Sequence, residues 1–498
     1  MRNKLIVAAA TAAALGTLGL TATAAQAQPA RVTATAVKER VVAGIPAAFK
    51  LTDSGATTTC TWKVTGLPTS VTSGKGLTNN CTDLIDGVWP TAGKKTVTAT
   101  ATSGGVASVF NITVTVLAKP CENDAVGVGS DTITPLTDQL ATDYNNTLPA
   151  ATTCSKTVST STTFEESWDA VNPISGAIGD SIPEKTDCAN INRPDGSSAG
   201  INQLATFTKS SSGPLCTNFA RSSRARGASD PPFQAGGSAF VALAGDAVDW
   251  SHPAVNTSAP ASLTPAQLTE IWSCTVPTAN NGTGPNQWGD LNPALTGSAA
   301  TQAIVPFLPQ SGSGTLSFWE TAIGVPTPGS CVSNANNTLE ENEGVNPVLN
   351  NPGAIFIFSV GDYIAQTQHS AKCLNSGCTA NSSGVICTHV PQDNFYFCNV
   401  HGTEALGQIN GVKAISGSGK SEVINSAFDH TFDRTLFDVV PFDPATTDHI
   451  PGATSPVGGL NLEAIFSASG FDCSSSTATT DIKNYGFVPL GGACGGTN

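Results

Sequence analysis

The first part of the chain, residues 29–118, carries short runs in which apolar and polar residues alternate. A period of two is typical of β-strands that are buried on one face. The runs are rich in Thr and Val, are separated by Gly, Ser, Asn and Pro, and predict strands at Arg31–Val37, Ala47–Thr52, Thr59–Thr65, Lys95–Thr102 and Ser108–Val116. Such closely spaced short strands indicate a small all-β sandwich that is immunoglobulin-like (Ig-like).

The cysteines of this part depart from the standard immunoglobulin pattern. Trp62 follows Cys60 by two residues and is expected in the core, whereas Cys81 lies in a loop-like Asn-Asn-Cys-Thr segment. A standard domain bridges its two sheets from core strands. We therefore expect residues 29–118 to form an Ig-like spacer or adhesion module that carries no chemistry.

From Lys119 onward, strand-like apolar runs alternate with segments of helical periodicity, which is the pattern of an α/β protein. The predicted strands are Ala125–Gly129, Gly237–Ala244, Ile304–Leu308 and Ala354–Ser359, and the predicted helices are Pro135–Tyr144, Thr264–Cys274, Thr315–Ile323 and Val360–Gln368. Residues 119–498 exceed one comfortable core. We predict two lobes, with lobe 1 at about 119–236 plus a C-terminal return after about residue 400, and lobe 2 at about 237–400.

The first 27 residues have the features of an export signal. Arg2 and Lys4 precede the apolar run Leu5–Leu20, and Ala25-Gln26-Ala27 is typical of a cleavage site. We predict a signal peptide over residues 1–27 and a protein that is secreted or held at the cell surface.

Composition and charge exclude other classes of protein. The formal net charge is −14 and only 12% of the residues are charged, whereas nucleic-acid binding requires a basic face. No later run approaches the ~20 apolar residues of a membrane span. The six histidines are scattered and the acidic turn Glu340–Gly344 is expected to be solvated, so we predict a monomer without metal or cofactor.

All 14 cysteines follow the predicted signal peptide. An even number of cysteines in an exported chain indicates disulfides. Pairing of neighbours along the sequence gives Cys60–Cys81, Cys121–Cys154, Cys188–Cys216, Cys274–Cys331, Cys373–Cys378, Cys387–Cys398 and Cys473–Cys494. Sequence alone leaves this connectivity open, above all for the four cysteines between residues 373 and 398.

Four turns rich in Gly and Ser lie at strand-to-helix junctions or beside arginines. They are Gly127–Thr132, Asp195–Gly200, Arg221–Arg226 and Gln310–Thr315. Glycine lets a ligand approach the backbone, and the first N–H groups of a helix have no partner within the helix. Together with Ser and Thr hydroxyls, such turns bind anions.

The cations are concentrated near two of these turns. No Lys or Arg occurs between Gly227 and Ala371, whereas four arginines lie within 34 residues, at Arg193, Arg221, Arg224 and Arg226. A planar guanidinium binds two oxygens of an oxyanion at once. The alternative is that some of these arginines are solvated, or that they pair with Asp195 and Asp230.

Residues from about 121 to 370 resemble the phosphate-binding (PstS-like) substrate-binding proteins of ABC transporters, which have a type II periplasmic-binding-protein fold. The resemblance is carried by the four turns, by Leu263-Thr264, Ile271-Trp272 and Trp288-Gly289-Asp290, and most closely by Ser311-Gly312-Ser313-Gly314-Thr315. It implies a two-lobed α/β fold that closes on a small inorganic oxyanion. An ABC permease or a cell-wall component is the partner protein that it implies.

The ligand groups that this resemblance and the arginine cluster suggest are Ser130, Asp131, Thr132, Ser197, Ser198, Arg221, Ser222, Ser223, Arg224, Ser313, Gly314 and Thr315. Two positions depart from the family. Pro309 and Ser311 stand where the phosphate proteins have an arginine and the aspartate that accepts the proton of hydrogen phosphate. A guanidinium from the arginine cluster could replace the missing one. The sequence therefore predicts an oxyanion site and leaves the choice of oxyanion open, with phosphate first.

Two other functions fit parts of the sequence. The Ig-like module and the two departures also suit a surface adhesion or interaction protein that keeps the fold and has lost its ligand. Gly196–Gly200 fits the G-x-S-x-G pattern of serine hydrolases, with Ser198 as nucleophile and Asp246, Asp249 and His252 farther along the chain. The segment before Gly196 is polar, however, where a hydrolase needs a buried strand. We expect no enzymatic activity.

Overall fold

The computed structural model describes the strands within residues 32–116 and, beyond them, residues 119–149, 163–171, 178–211, 213–276, 286–344, 346–374, 378–381, 384–387, 401–457 and 459–498. The predicted signal peptide and the cysteines Cys60, Cys81, Cys154 and Cys398 lie outside these residues.

Six strands precede the α/β part and form two antiparallel sheets of three strands, in the orders β1-β2-β4 and β3-β5-β6. The strands are β1 (Val32–Ala36), β2 (Pro46–Asp53), β3 (Thr61–Thr65), β4 (Thr82–Val88), β5 (Gly93–Ser103) and β6 (Val106–Val116). All five predicted runs form strands. β4 was not predicted, because Thr82–Val88 contains two aspartates and a glycine, which are depleted in strands. The Ig-like assignment itself stays a prediction.

The next elements alternate as an α/β protein requires. They are β7 (Ala125–Gly129), α1 (Thr134–Thr147), β8 (Glu165–Ser167), β9 (Ser181–Pro183), β10 (Asn190–Asn192), α2 (Ser197–Leu204), β11 (Phe219–Ser222), β12 (Ser238–Pro253), α3 (Pro265–Ser273), α4 (Trp288–Leu291), α5 (Gly297–Ala300), β13 (Val305–Pro306), α6 (Gly314–Ala322), β14 (Ala354–Ser359) and α7 (Val360–Leu374). The predicted strands and helices of this part are confirmed. Thr264 caps α3, as its place before Pro265 predicts, and forms a capping box with Gln267.

The C-terminal part consists of short elements around one longer strand. They are β15 (Cys378–Asn381), β16 (Gly384–Cys387), β17 (Glu404–Leu406), β18 (Gln408–Ile409), β19 (Val412–Lys413), β20 (Ile415–Ser416), β21 (Val423–Ile424), β22 (Asp433–Pro441), α8 (Glu463–Phe466), α9 (Phe471–Ser474), α10 (Ser476–Asn484) and β23 (Val488–Pro489). Four 3₁₀ helices lie at Pro347–Asn350, Gly419–Ser421, His430–Phe432 and Gly491–Ala493. Among the helices in the described ranges, none has the length and apolar character that a bilayer crossing needs.

One strand of 16 residues, β12, joins the two halves of the central sheet. Its beginning, Ser238–Ala247, runs antiparallel to β22, and its end, Val248–Ser251, pairs with β14. The sheet order is β13-β14-β12-β22-β11-β7-β8, with β17 and β23 also paired to β12. We call β8, β7, β11, β22 and the beginning of β12 the first half, and the end of β12 with β14, β13 and β17 the second half.

Each half of the sheet has its own buried apolar side chains. The second half packs on four fully buried tryptophans, Trp250, Trp272, Trp288 and Trp319. The first half packs on clusters that include Tyr144, Phe219, Phe240, Phe437 and Phe466. Because every strand end near the junction of the halves is anchored by such a core, the loops between them are held in fixed positions.

Three predicted disulfides are confirmed, at Cys188–Cys216, Cys274–Cys331 and Cys473–Cys494. Cys121 is also disulfide-bonded, and its predicted partner lies outside the described residues. The register of β15 and β16 sets Cys378 opposite Cys387. The predicted pairs Cys373–Cys378 and Cys387–Cys398 therefore stay predictions.

The junction of β12 and β17 contains a buried carboxyl group and generates a prediction about pH. Glu404 is 2% exposed and accepts a hydrogen bond of 2.7 Å from Ser251. Burial raises the pKa of Glu404 to about 8. The folded chain thus keeps this proton at pH values where the unfolded chain has released it, so stability falls as pH rises from about 4.5 toward 8.

We predict that replacing Glu404 with Gln removes this part of the pH dependence, which amounts to about 1.4 kcal/mol for each pH unit in that window. Urea unfolding at pH 5, 6, 7 and 8 measures it. The wild-type chain should lose stability relative to E404Q as pH rises, and Glu270→Gln on α3 is the control. Parallel curves for wild type and E404Q would contradict the prediction.

Candidate functional site

The predicted anion-binding turns meet at the junction of the two halves of the sheet. The turn after β7 begins α1, the turn after β13 begins α6, and the turn before α2 lies beside both. Gly129 has φ +121° and its Cα faces that of Gly200, so a side chain at either position would collide with the other backbone. The close packing of these turns therefore depends on glycine.

A carboxylate lies between the beginnings of α1 and α6. Glu341, which is fully buried, belongs to the loop between α6 and β14. Its Oε1 accepts from Thr132 N at 3.2 Å, Thr132 Oγ1 at 3.0 Å and Ser130 Oγ at 3.5 Å. Its Oε2 accepts from Ser313 Oγ and, at 3.3 Å, from Thr315 N. We call Ser130, Thr132, Ser313 and Thr315 the cradle.

A series of hydrogen bonds runs from Arg434 through the hydroxyls of Thr315 and Thr132 to Glu341. Arg434 Nη1 donates to Thr315 Oγ1 at 2.9 Å, and the hydroxyls of Thr315 and Thr132 are 3.2 Å apart. Because each hydroxyl has one proton, Thr315 donates to Thr132 and Thr132 donates to Glu341. The last hydroxyl of this series donates to the carboxylate, and an anion requires donors that point toward it.

Arg434 is held in place by a buried ion pair. Its Nε and Nη2 lie 2.9 and 2.7 Å from Asp246 Oδ2. Asp246 also accepts from the hydroxyl of Ser359 at 2.9 Å and from the N–H of Gly361 at 3.0 Å. Asp246 lies on β12 and Arg434 on the neighbouring β22, so the pair fixes the guanidinium beside the cradle at the junction of the halves.

The loop that carries Glu341 is anchored on both sides. Gln310 accepts a hydrogen bond of 3.0 Å from Glu341 N. Asn342, with φ +64°, donates to Thr132 Oγ1 at 3.3 Å and accepts from Ser359 N at 3.0 Å. The prediction of a solvated acidic turn at Glu340–Gly344 is therefore wrong, because these contacts draw the turn into the protein.

The third helix start closes the junction instead of contacting the carboxylate. Ser198 N, at the beginning of α2, donates to the carbonyl of Gly312 in the second half at 3.1 Å. Ser197 Oγ lies 3.3 Å from Ser223 Oγ and accepts from Ser223 N at 3.0 Å. A Cβ on Gly314 would overlap both of these serines. The turns of the two halves are thus in direct contact.

Arg221 has protein partners on every side of its guanidinium. It is fully buried and donates to the carbonyls of Ser130 at 3.0 Å, Trp168 at 2.9 Å and Gly129 at 3.3 Å, and to the hydroxyl of Ser167. It therefore ties the turn before α1 to β8.

The other clustered arginines also bind protein groups. Arg224 pairs with Asp230 at 2.9 Å and donates to Ser198 Oγ at 3.1 Å, and Ser222 Oγ donates to the Arg224 carbonyl. The alternative that Arg224 pairs with Asp230 is thus confirmed. Arg193 forms an ion pair with Asp180. Arg226 donates to the carbonyl oxygens of Ser238 and Asn498.

Ser198 lacks the surroundings of a hydrolase nucleophile in the described structure. The strand that precedes it, β10, has three residues and is solvent-accessible, whereas a nucleophile elbow follows a buried strand. His252 lies on β12 with Nδ1 at 2.9 Å from the carbonyl of its neighbour Pro253, and Asp246 is paired with Arg434. The residues that the hydrolase alternative needs are therefore engaged elsewhere.

Further carboxyl groups surround the cradle. Burial raises the pKa of Asp195 to about 7, and the charge of Glu341 adds to the shift. Burial likewise raises the pKa of Glu343 to about 8 and that of Glu340 to about 10. These neighbouring groups are therefore harder to ionise than free carboxyl groups, and the cradle donors accommodate the buried carboxylate of Glu341.

The cradle residues are among the ligand groups that the sequence analysis predicted, whereas Arg434 was missed and Asp246 was named only for the hydrolase alternative. Glu341 was noticed only as part of an acidic turn. Arg434 is a single arginine at the start of an apolar strand, more than 100 residues from the turns. A lone cation next to the segment Leu436–Val440, which is apolar except for Asp438, is a signal for a buried ion pair, but nothing in the sequence indicates which carboxylate it meets.

Substitution of Arg221 tests whether this side chain stabilises the fold or binds a ligand. We predict that Arg221→Met lowers stability by about 3–5 kcal/mol, because it leaves buried carbonyls unpaired and removes a buried charge from its carboxylate neighbours. Arg224→Met should cost less, because the Arg224 side chain keeps 11% of its surface exposed whereas Arg221 is 0% exposed. The urea unfolding midpoint measures both. An R221M protein of wild-type stability would return Arg221 to the candidate ligand groups.

Comparison with known structures gives no further support for an activity. A structure from Bacteroides fragilis named as an alpha-galactosidase is 18% identical, covers 24% of this chain and 27% of its own, and has a TM-score of 0.14. One named as an alpha-galactosidase/melibiase from the same organism is 17% identical over 22% of this chain and 24% of its own, with a TM-score of 0.14. The chain thus spans about a quarter of each, and neither match carries an argument.

Comparison with protein families is informative. No curated protein matches the chain. Residues 90–394, which are 305 of the 498 residues, match the model of the PBP superfamily domain. The matched range contains β7 to β14, α1 to α6, the whole cradle and Glu341, and its α/β sheet with helices fits the type II arrangement. This chain therefore belongs to the periplasmic-binding-protein (PBP) superfamily.

Proposed function

We propose that this chain is an extracellular solute-binding protein that captures a small inorganic oxyanion at the junction of its two lobes. One observation carries the proposal, namely that the cradle surrounds a single buried carboxylate with donors from two helix beginnings, one in each half of the sheet. A site made of donors alone is chemically suited to an anion. The fold supports ligand binding and not chemistry on the ligand.

The division of the cradle between two lobes supports capture by closure. Ser130 and Thr132 come from the first half, and Ser313 and Thr315 from the second. The halves also contact each other through Gln310 Nε2, which donates to Asp195 Oδ1 at 3.2 Å. Bringing the two sets of donors together expels water, and hydrogen bonds to an anion are stronger in such surroundings.

Phosphate is the first candidate among the oxyanions. The glycine-rich turn at Ser313-Gly314-Thr315 presents N–H and O–H groups as the resemblance to phosphate-binding proteins implies. Arg434, anchored by Asp246, stands where it polarises Thr315 and supplies a guanidinium near the site that none of the clustered arginines supplies.

An extracellular location is supported by the predicted signal peptide and by the disulfides. The predicted signal peptide directs export, and the three disulfides suit an oxidising compartment. In this compartment an ABC permease would receive the oxyanion, or a cell-wall component would hold the protein. The Ig-like module would act as a spacer.

A surface adhesion or interaction protein is the second candidate, and a specific observation favours it. The cradle donors are all engaged by Glu341, so a chain that has lost its external ligand would look the same. Such a protein would release no heat with any oxyanion and would bind a surface component instead.

We predict that phosphate binds to the full chain in isothermal titration calorimetry, with sulfate and molybdate as competitors in the panel. Thr132→Val and Thr315→Val remove one hydroxyl each at nearly constant volume. Thr132→Val should weaken binding about 10- to 100-fold, because this hydroxyl donates directly to the anion in the cradle and a hydrogen bond to a charged group contributes about 1.5–3 kcal/mol. Thr315→Val should weaken binding less, because the Thr315 hydroxyl donates to Thr132 and not to the anion.

Thr321→Val, on the exposed face of α6, is the matched control and should bind as wild type does. Wild-type affinity in both cradle variants would exclude the cradle as the oxyanion site. An absence of heat from every oxyanion with the wild-type chain would refute the proposed function and favour the adhesion protein.

A further inference from the structure

The carboxylate of Glu341 occupies the place where an external oxyanion would bind. We propose that Glu341 is an internal ligand of the cradle, which competes with the oxyanion and holds the two lobes closed in its absence. This inference rests on the proposed function and adds to it a device that sets the affinity of the site.

The donors that contact Glu341 cannot serve two anions at once. The protons of Ser130 Oγ, Thr132 Oγ1 and Ser313 Oγ are each available for one strong hydrogen bond, and Glu341 accepts from all three. The N–H groups of Thr132 and Thr315 point at the same carboxylate. An oxyanion that enters the cradle must therefore displace Glu341.

Glu341 bridges the two halves as a bound oxyanion would. Its loop belongs to the second half, where Ser313 and Thr315 bind Oε2, while Oε1 reaches Ser130 and Thr132 of the first half. One oxygen thus serves each half. The closed arrangement of the turns, with Ser198 N bonded to the Gly312 carbonyl, is achieved with a side chain of the protein in place of a ligand.

Electrostatic repulsion also prevents Glu341 and an external oxyanion from occupying the cradle together. Glu341 is surrounded by carboxyl groups whose pKa values are raised by burial, Asp195 to about 7 and Glu343 to about 8. A site that already disfavours ionisation of these neighbours would strongly disfavour an oxyanion beside an ionised Glu341. When an oxyanion displaces Glu341, one negative charge leaves the cradle as another enters it.

The loop around Glu341 has the conformation of a segment that can be rearranged. Ala335, Asn336 and Asn337 all have positive φ, of 50°, 60° and 67°, and Asn342 has φ +64°. Left-handed backbone costs about 1–2 kcal/mol for a residue that is not glycine, with less for asparagine. The loop that carries Glu341 thus contains several residues in a backbone conformation that is unfavourable for residues other than glycine.

The test compares phosphate binding by the wild-type full chain, Glu341→Ala and Glu341→Gln in isothermal titration calorimetry at pH 7. E341A empties the cradle, and we expect its dissociation constant for phosphate to be at least tenfold lower than that of the wild type. E341Q keeps the volume of the side chain but turns an N–H₂ group toward a site of donors, so it too should bind phosphate more tightly. E341Q provides the comparison if E341A does not fold.

Glu340→Gln is the matched control, since it changes the neighbouring residue of the same loop. Burial raises the pKa of Glu340 to about 10, so this variant is neutral at that position at pH 7, as the wild type is. Its phosphate affinity should equal the wild-type value. A thermal melt adds a second readout, in which phosphate raises the Tm of E341A more than that of the wild type.

The outcomes separate the inference from the proposed function. Equal affinity of wild type and both Glu341 variants would overturn the inference and leave oxyanion capture in place. Binding by E341A or E341Q alone would uphold the internal ligand and refute capture by the native chain. Failure of all of them to bind phosphate, sulfate or molybdate would overturn both.

Discussion

A carboxylate that leaves water needs a hydrogen-bond donor for each of its oxygens, and the centre of this protein is organised around that need. Glu341 obtains its donors from the beginnings of two helices on opposite sides of the sheet junction. Neither helix start could satisfy both oxygens alone. The buried carboxylate and the contact between the two halves are therefore coupled, because Glu341 is bound by donors from both halves.

The long strand β12 makes this arrangement possible. Its beginning pairs with β22 and its end with β14, so the two halves share one continuous backbone instead of a loose linker. Asp246 lies near the change of partner and holds Arg434 of β22. Through Arg434 Nη1, the ion pair also contacts the hydroxyl of Thr315 at the beginning of α6.

Arginines in this protein stabilise backbone more than they face a ligand. Arg221 binds carbonyl oxygens of the turn before α1 and of Trp168, directly after β8, and Arg226 binds the carbonyl of Ser238 at the start of β12. A domain with so few cations uses them where loops would otherwise leave carbonyls unpaired. The carboxylate of Glu341 is instead bound by neutral donors, and Arg434 acts on them through the hydroxyl of Thr315.

The elements and the anion-binding turns were predictable from the sequence, because they depend on local chemistry. Strands such as Ala125–Gly129 follow from apolar runs, the start of α3 follows from Thr264-Pro265, and the small residues at Ser130–Thr132 and Ser313–Thr315 mark helix starts with unpaired N–H groups. Three disulfides followed from the order of the cysteines. The PBP superfamily match agrees with the α/β pattern of this region.

What occupies the cradle was decided only in three dimensions. Glu341 is 209 residues from Thr132, and Arg434 is 119 residues from Thr315. No local pattern distinguishes an acidic turn that meets water from one that is drawn between two helix starts, or an arginine that binds a ligand from one that binds carbonyls. Those assignments depend on which groups are brought within 3 Å of one another, and packing across the sheet junction alone determines that.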